Sequence, residues 1–256
     1  MTGVQTCALP ISPDHLDRYD GFEAYAASKA RLFEMQSSRN VAIASPPSLP
    51  DPNVRALGLT VEIGGEWTES IVSWWKQNEI WPSLAGPHNA ENASAAICVS
   101  NALGIDEHSL KEALRSYPGL PHRMERVREK DGILYVNDSK ATNPTSTAPA
   151  LAAYPVIHWI LGGQAKTNEL DACIPHLSHV KTAFTIGRDS SMLATILRDK
   201  GVAVAQSITL EQAVKRASIT AKAGDTVLLS PACASFDQFR DFEDRGDQFR
   251  ALVEAL

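Results

Sequence analysis

The run Asn137-Asp-Ser-Lys-Ala-Thr-Asn-Pro144 follows without a break on the apolar run Ile133-Leu-Tyr-Val136. An apolar strand that ends in an acid, a lysine and hydroxyls, and then opens into a helix, is how an α/β sheet gathers polar groups around a ligand. Ser230-Pro-Ala-Cys-Ala-Ser-Phe-Asp-Gln-Phe239 follows Thr226-Val-Leu-Leu229 in the same manner. Two strand ends loaded in this way predict a largely parallel sheet whose carboxyl edge is the ligand edge.

The surrounding pattern agrees. Strand-like segments are expected at Ile133–Val136, Val156–Leu161, Thr182–Ile186, Val202–Ala205 and Thr226–Leu229. Helical stretches are expected between them at Ser146–Ala153, Glu169–Leu177, Ser191–Lys200 and Leu210–Ala223. Alternation of this kind gives a Rossmann-like α/β domain with helices on both faces. Gly162-Gly163, Gly187 and Ser230-Pro231 supply turns at the strand ends. Residues 12–118 read differently. Helices are expected at Gly21–Met35, Asn89–Leu103 and Ile105–Tyr117, with a strand-like Leu57–Ile63. Two helices after so few strands resemble the latter part of a larger domain. Pro118-Gly119 marks the boundary, so the expected division is 12–118 and 119–256.

At 256 residues, 44% hydrophobic and 21% charged, the composition is that of a soluble globular protein. No apolar run approaches the ~18 residues of a membrane span. The net charge of −6 argues against a nucleic-acid partner, which calls for a clustered basic face. Cys7, Cys98, Cys173 and Cys233 lack metal or disulfide spacing, so a reducing cytoplasm is expected. The segment Met1–Ile11 has no basic leader and is no signal peptide; it resembles a translated sequencing adapter, and is expected to be non-native.

The two loaded strand ends resemble the C-terminal domain of the Mur ligases, and Asn-Asp-Ser-Lys-Ala-Thr-Asn matches the D-glutamate-adding members. Asp14-His-Leu-Asp-Arg-Tyr19 and Ala27-Ser-Lys-Ala-Arg31 resemble a segment of the central ATPase domain of the same family. The resemblance covers about Ser12 to Leu256. It implies an ATP-dependent amide ligase of peptidoglycan precursor synthesis, with UDP-N-acetylmuramoyl-L-alanine, D-glutamate and ATP as its small-molecule partners, Mg2+ as cofactor, and a cytoplasmic monomer.

Residue by residue, it implies that His15 and a carbamate on Lys29 hold magnesium, a hard ion that prefers oxygen. It places Asn89, Asn92, Arg123 and Asp138 at the nucleotide, Asn89 also reading as a helix N-cap. The arginine fork suits a phosphate. Lys140, Thr142, Lys166, Ser235 and Phe242 are implied to line the D-glutamate pocket. The family pattern has Leu where this chain has Phe236. Cys233 has no His nearby in sequence and reads as a small buried residue.

No Gly-x-x-x-x-Gly-Lys-Ser/Thr phosphate loop occurs in the chain. In Mur ligases that loop and a uridine-nucleotide domain lie upstream, so the chain alone is expected to be inactive. Two rival readings are a Rossmann-like domain that binds an acidic metabolite or nucleotide without chemistry, and a related amide ligase such as a folylpolyglutamate synthetase. The two quoted runs speak against the latter.

Overall fold

The computed structural model describes residues 18–35, 42–44, 60–62, 82–84 and 87–256. The chain forms two compact units, Met1–Pro82 with His88–Tyr117, and Ser83–Pro87 with Pro118–Leu256.

The described part of the first unit contains helix α1 (Phe22–Glu34), a short parallel pair β1 (Ala42–Ala44) and β2 (Thr60–Glu62), and helices α2 (Pro87–Ala102) and α3 (Glu107–Ser116). Asp106 caps α3, accepting the Ser109 N–H at 3.0 Å, and Leu110 and Leu114 face inward one turn apart. Helix α2 starts at Pro87, a residue suited to a first helical position because it has no N–H to leave unpaired. Asn89 therefore lies inside the first turn and is not the N-cap expected from sequence.

The second unit is built on one six-stranded sheet. Its strands are β3 (Glu125–Lys130), β4 (Ile133–Asn137), β5 (Ile157–Gly162), β6 (Val180–Ile186), β7 (Val204–Ile208) and β8 (Thr226–Leu229), in the order β3-β4-β8-β5-β6-β7. All neighbours are parallel except β3 and β4, a hairpin turned by Asp131-Gly132 with φ of 53° and 73°. Two positive φ angles are what a two-residue turn needs to match strand twist. Every residue of β5 and β8 is buried, as expected of central parallel strands covered on both faces.

Side chains divide by parity. Ile157, Trp159 and Leu161 of β5 join Val136 and Leu228 on one face, where α4 (Pro144–Ala152), a 3₁₀ segment (Asp171–His179) and α5 (Ser190–Asp199) supply Leu151, Cys173, Leu193 and Leu197. Ile160 of β5 joins Tyr135, Val227 and Leu229 on the other, under α6 (Leu210–Thr220) and α7 (Phe242–Glu254) with Val214 and Phe249. Among the described residues no helix is long and apolar enough to cross a membrane.

Four segments of the second unit differ from expectation. The stretch expected as a helix at Glu169–Leu177 is the 3₁₀ segment, which contains Pro175; proline cannot continue an α-helical hydrogen-bond ladder. Strand β7 starts at Val204 because Val202 is used elsewhere: its N–H reaches Leu197 O at 3.0 Å while Gly201 N–H reaches Arg198 O at 2.9 Å, closing α5. That pairing, with Gly201 at φ +80°, is the Schellman stop. Helix α7 and strand β3 had no counterpart in the sequence reading.

Candidate functional site

Strand β8 sits between β4 and β5, and α7, which follows β8, packs on β3 and β4, whereas the chain leaving β5 continues to β6 on the other side. Connections that diverge from adjacent strands leave a crevice at their carboxyl ends. Three loops converge there: 138–143 after β4, 163–168 after β5 and 230–239 after β8.

The loops are stitched by backbone. Gln164 and Ala234 exchange N–H···O bonds at 2.9 Å in each direction, Gly162 N–H reaches Pro231 O at 2.9 Å, and Ala232 N–H reaches Ala141 O at 3.0 Å. This closeness requires glycine. A Cβ on Gly163, where φ is +131°, would stand 2.2 Å from Ala234 O, and one on Gly162 would stand 2.0 Å from Ile186 O.

Side chains complete the mesh. Asp138 is buried, its Oδ2 2.8 Å from Ser230 Oγ and its Oδ1 accepting the Met124 N–H at 3.2 Å. Ser230 Oγ is also 3.1 Å from Thr147 Oγ1. Burial pushes the Asp138 carboxyl up to about 7, against the pull of its hydrogen bonds and of Arg123. Lys140 Nζ stands 3.8 Å from the centre of the Phe242 ring, a cation–π contact between the β4 loop and the start of α7. Asp241 caps α7 there, accepting the Asp244 N–H at 2.7 Å. Ser235 is buried, Thr142 half-buried and Lys166 exposed. Phe236 is 71% exposed. Cys233 is buried and its thiol pushed up to about 12 by desolvation, which suits a packing residue and not a nucleophile.

The chain enters this unit through a pinned knuckle. His122 and Met124 are buried with φ of 61° and 50°, and Arg123 between them is exposed. Left-handed backbone at two non-glycine residues is strained and persists only where neighbours enforce it. The enforcers are visible. The His122 ring lies against Gly246 of α7, where a Cβ would come within 2.1 Å of Nδ1, and Asn137 Nδ2 contacts His122 Nδ1 at 3.1 Å, Glu125 Oε2 at 3.0 Å and Gly246 O at 3.1 Å. Arg250 of α7 grips both oxygens of Glu125 at 2.9 and 3.0 Å. Arg123 is thus held outward from a fixed base.

Five expected site residues, Lys140, Thr142, Lys166, Ser235 and Phe242, are carried on the converging loops and the start of α7, and Asp138 underlies them. Lys29, Asn89 and Asn92 belong to the first unit, and His15 lies outside the described residues. Lys29 is exposed with Nζ 5.6 Å from the Tyr25 ring centre; Asn92 Nδ2 donates to Asn89 Oδ1 at 3.3 Å. These donors do not make a magnesium site as they stand. An ammonium repels a divalent cation, and among the described residues no three His, Cys, Asp or Glu side chains gather. A groove of about 630 Å³ bordered by Thr209, Phe239 and Leu252 lies on the α6–α7 face, and none of the expected residues lines it.

The sequence reading missed His122, Glu125, Asn137, Arg245, Gly246 and Arg250 as structural parts of this site. The available signal was Phe242, Gly246, Phe249 and Val253, a helical spacing masked by the arginine and glycine within it.

Residues 122–233 match the Mur ligase glutamate ligase domain, and residues 8–48 match the Mur ligase middle domain. The UDP-N-acetylmuramoylalanine–D-glutamate ligase of Novosphingobium aromaticivorans is 53% identical over 97% of this chain and 56% of its own length. That of Zymomonas mobilis is 46% identical over 96% and 55%. The chain therefore spans a little over half the length of these curated relatives. Among solved structures, MurF from Acinetobacter baumannii superposes with a TM-score of 0.64 at 16% identity over 95% of this chain and 58% of that one. E. coli FolC in complex with ADP gives 0.60 at 19% over 96% and 61%, a likeness of fold alone. The two matched domains and the two curated relatives show that the chain belongs to the Mur ligase family.

Proposed function

We propose that the protein to which this chain belongs is an ATP-dependent amide ligase that joins D-glutamate to UDP-N-acetylmuramoyl-L-alanine, and that residues 119–256 hold the incoming D-glutamate while residues 12–118 contribute to the ATP-binding domain. The observation that supports this most is the carboxyl edge of the sheet. Lys140 and Lys166 bring two cations and Thr142 and Ser235 two hydroxyls to loops stitched together, the complement of a ligand with two carboxylates.

ATP would phosphorylate the nucleotide-linked carboxylate, and the D-glutamate amine would displace phosphate from the acyl phosphate to leave an amide. Holding the amine against that carbon is a gain in proximity. In this reading Lys166 meets a carboxylate, Thr142 and Ser235 orient it, Phe242 walls the pocket and fixes Lys140 beneath its ring. Arg123, held outward by the knuckle, meets phosphate oxygens. Asp138, Asn89 and Asn92 complete the nucleotide side. His15 and a carbamate on Lys29, which would replace a cation by an oxygen donor, would hold a magnesium ion that neutralises charge on phosphoryl oxygens. The enzyme would act in the cytoplasm as a monomer.

The test is a hybrid enzyme in which the upstream part of the Novosphingobium relative precedes residue 12. D-glutamate-dependent phosphate release is expected from the hybrid and not from the 256-residue chain alone. Lys166→Ala should raise the D-glutamate KM far more than Thr142→Ala, because a lost cation opposite a carboxylate costs more than a neutral hydrogen bond of about 1 kcal/mol. Release dependent on L-glutamate and a folate, and not on D-glutamate, would replace this reading by the folylpolyglutamate one.

A further inference from the structure

Arg245 is a fully buried arginine, 0% exposed, in the first turns of α7. Among the described residues no carboxylate forms an ion pair with it; its partners are almost all backbone carbonyls. Nη2 donates to Ser139 O at 2.9 Å, Nη1 to Cys233 O at 3.1 Å and to Gly162 O at 3.4 Å, and Nε to Ser139 Oγ at 2.9 Å. Ser139 Oγ in turn donates to Phe242 O at 2.8 Å.

Ser139 lies in the loop after β4, Gly162 ends β5 and Cys233 lies in the loop after β8. One guanidinium therefore touches all three chain segments of the crevice, and through Ser139 the backbone of Phe242. Burying a cation without a directly paired carboxylate is expensive, even with Asp237 near enough to act on it, and an aliphatic side chain of that volume is the cheaper way to fill a core. Arginine is the side chain suited to this position because its planar fork offers five N–H groups in fixed directions, four of which are used in these contacts.

We infer that Arg245 is a positioning residue for the amino-acid pocket, fastening the loops that carry Lys140 and Thr142, Lys166, and Ser235 into one frame. The ligand half of this inference rests on the D-glutamate reading above. The fastening has a second effect. Desolvation pulls the guanidinium down to about 10, which still leaves it charged at neutral pH, so the frame carries a positive charge beneath loops that meet a dianion.

Two measurements on the 256-residue chain separate the parts. Amide hydrogen exchange reads the frame. Arg245→Ala should speed exchange at Gln164, Ala232 and Ala234 by at least a hundredfold, with a change several times smaller at Trp159 and Leu228 in the strand centres. Uniform acceleration, or none, would show a general packing role and overturn the inference. NMR titration with D-glutamate, against L-glutamate as control, reads the pocket. Arg245→Lys keeps the charge and loses the fork, so D-glutamate affinity should fall at least tenfold; affinity within twofold of wild type sinks the inference alone. A wild-type chain that does not respond to D-glutamate sinks the pocket reading and the ligand half with it, while the exchange pattern still decides the frame. Should Arg245→Ala fail to fold, Ser139→Ala removes the Nε partner together with the Ser139 Oγ bond to Phe242 O and should show the same loop-restricted exchange, about tenfold in size.

Discussion

The two ends of the parallel sheet both bury charged side chains, and they use them differently. At the carboxyl end Asn137, Asp138, Ser139, Ser230 and Arg245 form a mesh in which each has a partner, and most of its bonds tie a crevice loop to another loop, to α7 or to the entry knuckle. At the amino end His158 is buried in the middle of the sheet with Nε2 2.9 Å from Asp225 Oδ2, while its Nδ1 is buried without a partner. Asp225 there also takes the Lys222 N–H at 3.0 Å and lies 3.4 Å from Lys181 Nζ. One end spends its polar groups on loop geometry, and the other on joining a strand to the turn before its neighbour. A buried polar cluster thus signals function when its bonds cross between loops, more than by its mere presence.

That contrast can be broken most sharply at glycines. Gly163→Ala places a Cβ 2.2 Å from Ala234 O at φ +131°, so strain and overlap should cost on the order of 4 kcal/mol. Gly132→Ala, at the amino end, meets the Ala223 Cβ at 2.9 Å with φ +73° and should cost about 1–2 kcal/mol. Chemical denaturation of both variants gives the comparison; equal losses would show that the carboxyl loops are no more tightly fitted than an ordinary turn.

Asp138 sharpens it through pH. Its folded carboxyl sits near 7 and its unfolded one near the usual ~4, so the folded state keeps a proton that the unfolded state releases. Stability from this group is therefore lost as pH rises from about 4 to about 7, the reverse of a salt-bridged acid. Asp138→Asn should remove that slope, with the difference between variant and wild type growing in the variant's favour by on the order of 4 kcal/mol across the window. Parallel stability curves would mean that the Met124 and Ser230 hydrogen bonds outweigh burial.

The smallest effect belongs to the amino end. His158→Leu removes an unpartnered nitrogen together with one of three Asp225 partners, and the two nearly offset, for a net loss of about 1 kcal/mol. D-glutamate titration of this variant should be unchanged, and a tenfold weakening would erase the distinction between the ends.

Much of this architecture was legible in the sequence, for physical reasons that differ by residue. The central strands β4, β5 and β8 are apolar on both faces, so Ile133–Val136 and Thr226–Leu229 announce themselves. The residues that would touch a ligand follow those strands directly and carry their chemistry in plain view. Strand β3 was illegible because five of the six residues in Glu-Arg-Val-Arg-Glu-Lys are charged, although Asp131-Gly132 is a hairpin signal. Arg245 was hidden for the opposite reason. An arginine in a helix reads as a surface residue, and only the folded chain shows it reaching three loops. Partners that lie about a hundred residues apart, as Arg245 and Ser139 do, leave no local pattern.

The outer strands of the sheet have a consequence for how copies of the chain meet one another. Strand β3 presents both signs of charge along its length, and its Arg128 turns to the Val253 and Glu254 carbonyls that end α7. At the far side, the Gln206 carbonyl of β7 is taken by Arg216 at 2.7 Å. An approaching strand would have to desolvate charged side chains on one border and would find an occupied acceptor on the other, so the sheet resists growing by edge-to-edge addition into larger aggregates.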